Sequence, residues 1–259
     1  MKISIRDVFG NYLLKQGKSK KKLVVISCDL KDATKTKKFF NKYPDRSFEV
    51  GISEANALGI SAGLALSGFK PIVSSFGSFI TGKHLEIRTS ISYNNAPVVI
   101  IGTHGGLIGP DGATQSATQD LALMRSMPNF EVFQPCSPLE TEQIINYSVN
   151  AKNPIYIRIS RNEVVEIYNK NYKFKPGECY QIINGKKLAI LSSGPIIHNC
   201  LKAIKDNRLK DVALFNIPSY KPFNELKFLS KIKKFKKILV VEDHWIYGGL
   251  RSLISETFT

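Results

Sequence analysis

The sequence has 259 residues, 43% hydrophobic and 22% charged, with a formal net charge of +16. This is an ordinary globular composition, long enough for one large or two modest domains with proper cores. No apolar run reaches the roughly 18–20 residues of a membrane helix, and MKISIRDVFGNYLLKQGKSKKK lacks the apolar core and small-residue cleavage site of a secretory signal.

In chain order, apolar strand-like runs alternate with helix-like segments. LVVISCD (23–29) reads as a buried strand, NALGISAGLAL as a helix, KPIVSSF (70–76) as a strand and ITGKHLEIRTSISY as one further helix. PVVIIGTH (97–104) is a strand followed by the glycine-rich loop GGLIGPDGATQ. QDLALMRSM is a helix, FEVFQPC a strand, PLETEQIINYSV a helix opened by Pro138, and PIYIRIS a strand. Strands that are continuously apolar, each followed by a helix, predict a parallel sheet covered on both faces, with function at the carboxyl ends of its strands. Asp29, Phe76, His104 and Arg161 fall at those ends.

EIYNKNYKFKPGECYQI (166–182) breaks the rhythm as a linker. KLAILSSG, PIIHNCLKAIKDN, VALFNI, ELKFLSKIKKF, KILVVED and WIYGGLRSLISETF then repeat it. The expectation is therefore two parallel-sheet α/β domains, residues 1–168 and a smaller 169–259, with no repeat of fixed period.

The lysines cluster in KSKKK (18–22), KTKK (35–38) and KIKKFKK (231–237), patterned as helix ends, loops and solvent faces. No RNA-type aromatic signature or helix-turn-helix pattern accompanies them, so a solvated basic surface is expected rather than a nucleic-acid interface. A positive field that draws in phosphorylated small molecules or an acidic partner is compatible with either. Cys28, Cys136, Cys179 and Cys200 share no metal-type spacing and read as reduced, mostly buried thiols, which makes cytoplasm the default compartment. His198 and His244 have no second ligand at metal spacing and read as structural or surface histidines.

One carboxylate stands out. Glu54 is the only acid between Glu49 and Glu86, at the head of a run of small and apolar residues. Taken alone it reads as a first-turn Glu after an N-cap Ser53, favoured by the helix dipole. Phe76 and Phe79 read as core phenylalanines, Asp111 as a turn aspartate and Arg161 as a surface ion-pair residue.

The order DLKDATKT, YPDRSFEVGISEAN, SFGSF, GTHGGLIGPDGATQ, FQPCSPLE, IRISR resembles the transketolase family, specifically its pyrimidine-binding and C-terminal domains, over essentially the whole chain. No GDG…N motif of the kind that holds a diphosphate through a metal ion is present. In the family that motif belongs to a preceding domain, so the chain resembles one half of a split transketolase. The resemblance implies that Glu54 hydrogen-bonds a ring nitrogen of the aminopyrimidine of thiamine diphosphate and favours the tautomer that removes the thiazolium proton. It implies that Phe76 and Phe79 pack around that ring, with Asp29 also at the cofactor. His104 and Asp111 then contact the sugar, Gln115 stands where the family typically has a histidine, and Arg161 grips a sugar phosphate.

Mg²⁺ or Ca²⁺ is expected on an N-terminal-half partner subunit, and self-association through both domains points to a heterotetramer acting on sugars or sugar phosphates. Gly82 replaces a family aromatic, Ala33 a phosphate-holding serine, and the substrate loop is one residue shorter. These departures point to a ketol donor or acceptor other than the usual pentose phosphate. Other readings are a subunit of a different thiamine-diphosphate enzyme (2-oxo acid dehydrogenase β type or deoxyxylulose-phosphate synthase-like), a non-catalytic remnant, or a basic nucleic-acid-binding protein.

Overall fold

A computed structural model describes residues 2–109 and 111–258. The first unit runs β1 (Ile3–Ser4), α1 (Ile5–Ser19), β2 (Leu23–Ser27), α2 (Lys37–Lys42), β3 (Ser47–Glu49), α3 (Glu54–Leu66), β4 (Lys70–Phe76), α4 (Gly77–Thr81) and α5 (His84–Glu86). It continues through β5 (Val99–Thr103), α6 (Asp120–Ser126), β6 (Glu131–Phe133), α7 (Pro138–Asn150), β7 (Ile155–Ile159) and β8 (Glu163–Val164). The second unit holds β9 (Tyr180–Ile183), β10 (Leu188–Ser192), α8 (Ile197–Asp206), β11 (Val212–Asn216), β12 (Ser219–Lys221), α9 (Glu225–Ile232), β13 (Lys237–Val241) and α10 (Leu250–Thr257).

The main sheet has strand order β12-β6-β7-β5-β4-β2-β3, parallel throughout except for β12 against β6. Its strands β2, β5 and β7 are buried at every position, which is why they read as predominantly apolar runs, with Arg158 of β7 the one charged residue among them. One face packs Ile5, Phe9 and Leu13 of α1 with Ile144, Ile145 and Val149 of α7. The other packs Ala57, Leu58 and Ala62 of α3 with Leu121 and Met124 of α6. That second core runs on without a break into Ala213, Phe215, Phe228 and Leu250 of the second unit, whose own sheet is ordered β13-β10-β11-β9.

Three features differ from the sequence reading. The helix expected over ITGKHLEIRTSISY is divided: α4 ends before Gly82, Lys83 leaves the helical region (φ −92°, ψ 45°), and Ile87–Ser92 forms a π-helical stretch. Ile80, Ile87 and Ile91 are all fully buried, as the apolar spacing implies, although the helix that carries them is broken between Ile80 and Ile87.

The 166–182 segment is not a slack tether. Tyr168 and Tyr172 stack with ring centroids 3.8 Å apart. Both donate to the fully buried Glu140 at the head of α7, at 3.3 and 2.6 Å. Asn216 of the second unit donates to the same carboxylate at 2.9 Å, and the Cys136 N–H at 2.8 Å. Burial raises the Glu140 pKa, and the bonds from Tyr172, Cys136 and Asn216 oppose the rise. Finally, β12 returns from the second unit to extend the first unit's sheet. All four cysteines are buried and free. His198 bonds the Cys136 carbonyl at 2.8 Å and His244 the Trp245 carbonyl at 2.7 Å. Among the described residues, no helix is long and apolar enough to cross a membrane.

Candidate active site

The site is built at the carboxyl edge of the main sheet, where β4, β5 and β7 run side by side and helix α3 begins. Glu54 is the first residue of α3 and only 6% exposed. The preceding Ser53 makes no side-chain cap, and Glu54 is the acid of the first turn. Its carboxylate is aimed inward over β4, where the buried Ser75 hydroxyl donates to Oε1 at 2.8 Å. Oε2 finds no hydrogen-bond partner among the described residues, which leaves an acceptor for a donor from outside the chain. Cys28 lies beneath, its thiol pushed up to about 12 first by burial and then by the Glu54 and Glu49 charges.

Phe76 closes β4, and its ring lies 5.2 Å from that of Phe79 at an interplanar angle of 25°. The His104 ring sits 3.8 Å from Phe76 on the next strand's end. Both phenylalanines are half-buried, so each keeps ring surface for a ligand. Asp29, exposed after β2 with φ 59°, donates its N–H to Glu49 at 2.6 Å.

His104 is 3% exposed and also has positive φ (59°), a conformation unusual for a non-glycine residue. The Thr103 hydroxyl donates to the Ser75 carbonyl at 3.2 Å, so it accepts from His104 Nδ1 at 3.0 Å. That fixes the Nδ1–H tautomer and turns the Nε2 lone pair toward Arg6 Nη1, 3.4 Å away. Burial, then the Arg6 charge, lowers the His104 pKa to about 4, against the opposing pull of Asp111. The imidazole is therefore neutral at pH 7.

Because the unfolded chain protonates His104 near pH 6.5 and the folded chain only near 4, acidification through that window favours unfolding. The thermal midpoint of the wild-type chain is expected to fall more steeply between pH 6.5 and 4 than that of His104→Gln. Parallel curves would show that His104 does not titrate with a depressed pKa.

Asp111 and Arg161, expected to make separate substrate contacts, are ion-paired to each other, and Asp111 Oδ2 stands 3.7 Å from His104 Nε2. Both side chains are about one-third exposed. A pair so exposed is worth about 0–1 kcal/mol, so an incoming ligand can displace either partner at little cost. Gln115 sits in the same loop, its carbonyl accepting from Ser78 at 3.2 Å and its side-chain oxygen from Thr114.

Two groups escaped the sequence reading. Arg6, in the first turn of α1, reaches the site, donates to the Ala33 carbonyl at 2.9 Å and leaves Nε buried without a partner. Nothing local marks it, because its neighbours at the site lie 27 and 98 residues away. Arg158 is 1% exposed, and its Nε lies 3.2 Å from Asp120 Oδ2, which also accepts from Tyr156 at 2.6 Å. A charged residue inside PIYIRIS was the available signal. A separate cleft of about 730 Å³ between His84, Arg88, Tyr93 and Pro128 contains none of the site residues.

Chemistry gathered at the carboxyl edge of a parallel sheet is the arrangement of α/β enzymes, and comparison with known proteins identifies which kind. The transketolase pyrimidine-binding domain matches residues 1–166 and the transketolase C-terminal domain residues 177–259. The chain belongs to the transketolase family. It is 33% identical to one of the subunits of an apulose-4-phosphate transketolase of Actinobacillus succinogenes over 238 residues, 90% of this chain and 76% of that protein. It is 33% identical to a putative transketolase C-terminal section of Methanocaldococcus jannaschii over 259 residues, 97% of this chain and 81% of that protein. Among solved structures it is similar to an inactive β4 tetramer of a split-gene transketolase, with TM-score 0.89 and 33% identity, covering 99% of this chain and 84% of that one.

Proposed function

We propose that this chain is the pyrimidine-binding subunit of a split, thiamine-diphosphate-dependent transketolase that moves a two-carbon ketol unit between sugars or sugar phosphates. The observation that carries the reading is Glu54: a buried carboxylate with one oxygen fixed by Ser75 and the other open, beside the Phe76–Phe79 pair. This donor set fits an aminopyrimidine, which needs one carboxylate acceptor and an apolar wall. When bound, thiamine diphosphate supplies the thiazolium carbon that carries the two-carbon unit.

Glu54 holds a proton in common with the pyrimidine ring nitrogen, and Ser75 keeps the carboxylate in the plane that this requires. Phe76 and Phe79 exclude water and set the ring's tilt, with Asp29 at the rim of the same edge. Neutral His104 offers its Nε2 to a sugar hydroxyl, and Asp111 and Gln115 close on the sugar from the loop. Arg6 and Arg161, both near His104, give the far end of the site the positive charge that a phosphate monoester needs.

Among the described residues, no group of three or more His, Cys, Asp or Glu is gathered to hold a metal ion. The sequence has no GDG…N motif of the kind that holds a diphosphate through a metal ion, and we assign the Mg²⁺ or Ca²⁺ and the diphosphate to an N-terminal-half partner subunit. We also assign self-association of this chain within a heterotetramer, supported by its similarity to a split-gene transketolase subunit solved as an inactive β4 tetramer.

Titration calorimetry separates this from a self-sufficient cofactor site. The purified chain is expected to bind thiamine diphosphate with Mg²⁺ only weakly, and the complex with its partner to bind it tightly. Micromolar binding by the chain alone would overturn the split-site reading.

A further inference from the structure

The loop between β5 and α6, which carries Asp111 and Gln115, is tied at both ends to one turn of the second unit. At its start, the Leu107 N–H donates to Asp243 Oδ1 at 2.8 Å. Gly106, at φ 86°, leaves the space that this carboxylate fills, and a Cβ there would collide with Asp243 Oδ2. At the loop's end, the Trp245 N–H donates to the Thr118 carbonyl at 2.7 Å. Beneath both, Arg158 Nη2 donates to the Ala117 carbonyl at 2.6 Å and to the Asp243 carbonyl at 2.8 Å.

The neighbouring carboxylate has a different task. Glu242 accepts from the Leu250 and Arg251 N–H groups at 2.6 and 3.0 Å and so caps α10. Glu242 therefore serves the second unit's own fold, whereas the Asp243 side chain is spent on the first unit's loop.

We infer that Asp243 is a positioning residue for ketol transfer: through the Leu107 N–H it holds the 105–118 loop in register with Glu54, so that the second unit sets the geometry of sugar binding. This deepens the transketolase reading and rests on it. A role in stability alone fits the location poorly. Leu107 is 73% exposed, so the contact buries little apolar surface, and its main consequence is to order a rim that would otherwise open locally.

Two readouts test it. Hydrogen–deuterium exchange on the purified chain reports the loop without any cofactor or partner. In Asp243→Ala the 105–118 amides are expected to exchange about tenfold faster or more, and in Asp243→Asn, which keeps an acceptor oxygen, close to the wild-type rate. In the complex with the diphosphate-holding partner, Asp243→Ala is expected to raise KM for the ketose about tenfold, with Asp243→Asn restoring it. Deuterium exchange at the cofactor's thiazolium carbon should stay at the wild-type rate, because Glu54, Ser75 and Phe76 lie outside the loop.

Wild-type loop exchange in Asp243→Ala overturns the inference, as does a lowered thermal midpoint with KM unchanged. If Asp243→Ala does not fold, Gly106→Ala drives a methyl group against the same carboxylate from the loop side and carries the same expectations. A wild-type complex with no thiazolium exchange would instead defeat the transketolase reading, and the loop measurement would still decide the role of Asp243 in holding the loop.

Discussion

Glu54→Gln is expected to slow ketol transfer by the assembled complex by at least about 10²–10⁴-fold while leaving fold and assembly intact. The substitution keeps the shape of the side chain, and the amide carbonyl can still accept from the Ser75 hydroxyl that now bonds Oε1. What it replaces is the other oxygen, which has no hydrogen-bond partner among the described residues, with an NH₂ group that can only donate. A pyrimidine nitrogen that must share a proton with this position would instead face a donor, and the tautomer that activates the cofactor would lose its support. Steady-state transfer assays on the complex check the rate, and circular dichroism with size-exclusion chromatography checks that nothing else has changed. Activity within a few-fold of wild type would reduce Glu54 to a helix-start acid.

Arg158→Met is expected to cost about 3–5 kcal/mol of folding stability, the usual penalty when one partner of a buried ion pair is removed. Asp120 is 1% exposed and would keep only the Tyr156 hydroxyl. The Ala117 and Asp243 carbonyls would lose their shared donor as well. Burial by itself lowers the Arg158 pKa, but Asp120, aided by Tyr220 and Asp243, raises it overall, so the guanidinium is held charged in the core. Arg161→Met, three residues on, is the contrast, because its pair with Asp111 is about one-third exposed and should shift stability by no more than about 1 kcal/mol. Urea denaturation of the two variants measures the difference directly. Similar midpoints would mean that the Arg158–Asp120 pair contributes nothing beyond a surface bridge.

The contrast between these two arginines also shows what the sequence made legible. Strands β2, β4, β5 and β7 could be read because a parallel sheet buried on both faces leaves predominantly apolar runs, and strand ends then place Asp29, Phe76, His104 and Arg161 on one edge. The family resemblance pointed to Glu54, whose buried carboxylate accepts from Ser75, a partner that the local sequence does not announce. Arg6, Arg158, Glu140 and Asp243 were not legible, because each acquires its role from partners distant in the chain. Glu140 reads locally as an ordinary first-turn acid of α7, yet it gathers Tyr168, Tyr172 and Asn216 from up to 76 residues away. The 166–182 segment looked like a linker because it is rich in Asn and Lys and breaks the strand–helix rhythm, and the carboxylate that Tyr168 and Tyr172 bond lies 28 and 32 residues away. The π-helical turn at Ile87–Ser92 escaped because its periodicity differs from that of an α-helix by a single residue.

Proton release from the thiazolium carbon tests the central claim most directly, because it isolates the step assigned to Glu54 and needs no knowledge of the sugar. The complex is mixed with deuterated buffer, quenched in acid after set intervals, and the cofactor's C2 proton is read by NMR. Rapid exchange in wild type, slowed by at least about 10²-fold in Glu54→Gln, is the predicted result. Equal exchange rates in the two complexes would contradict the account.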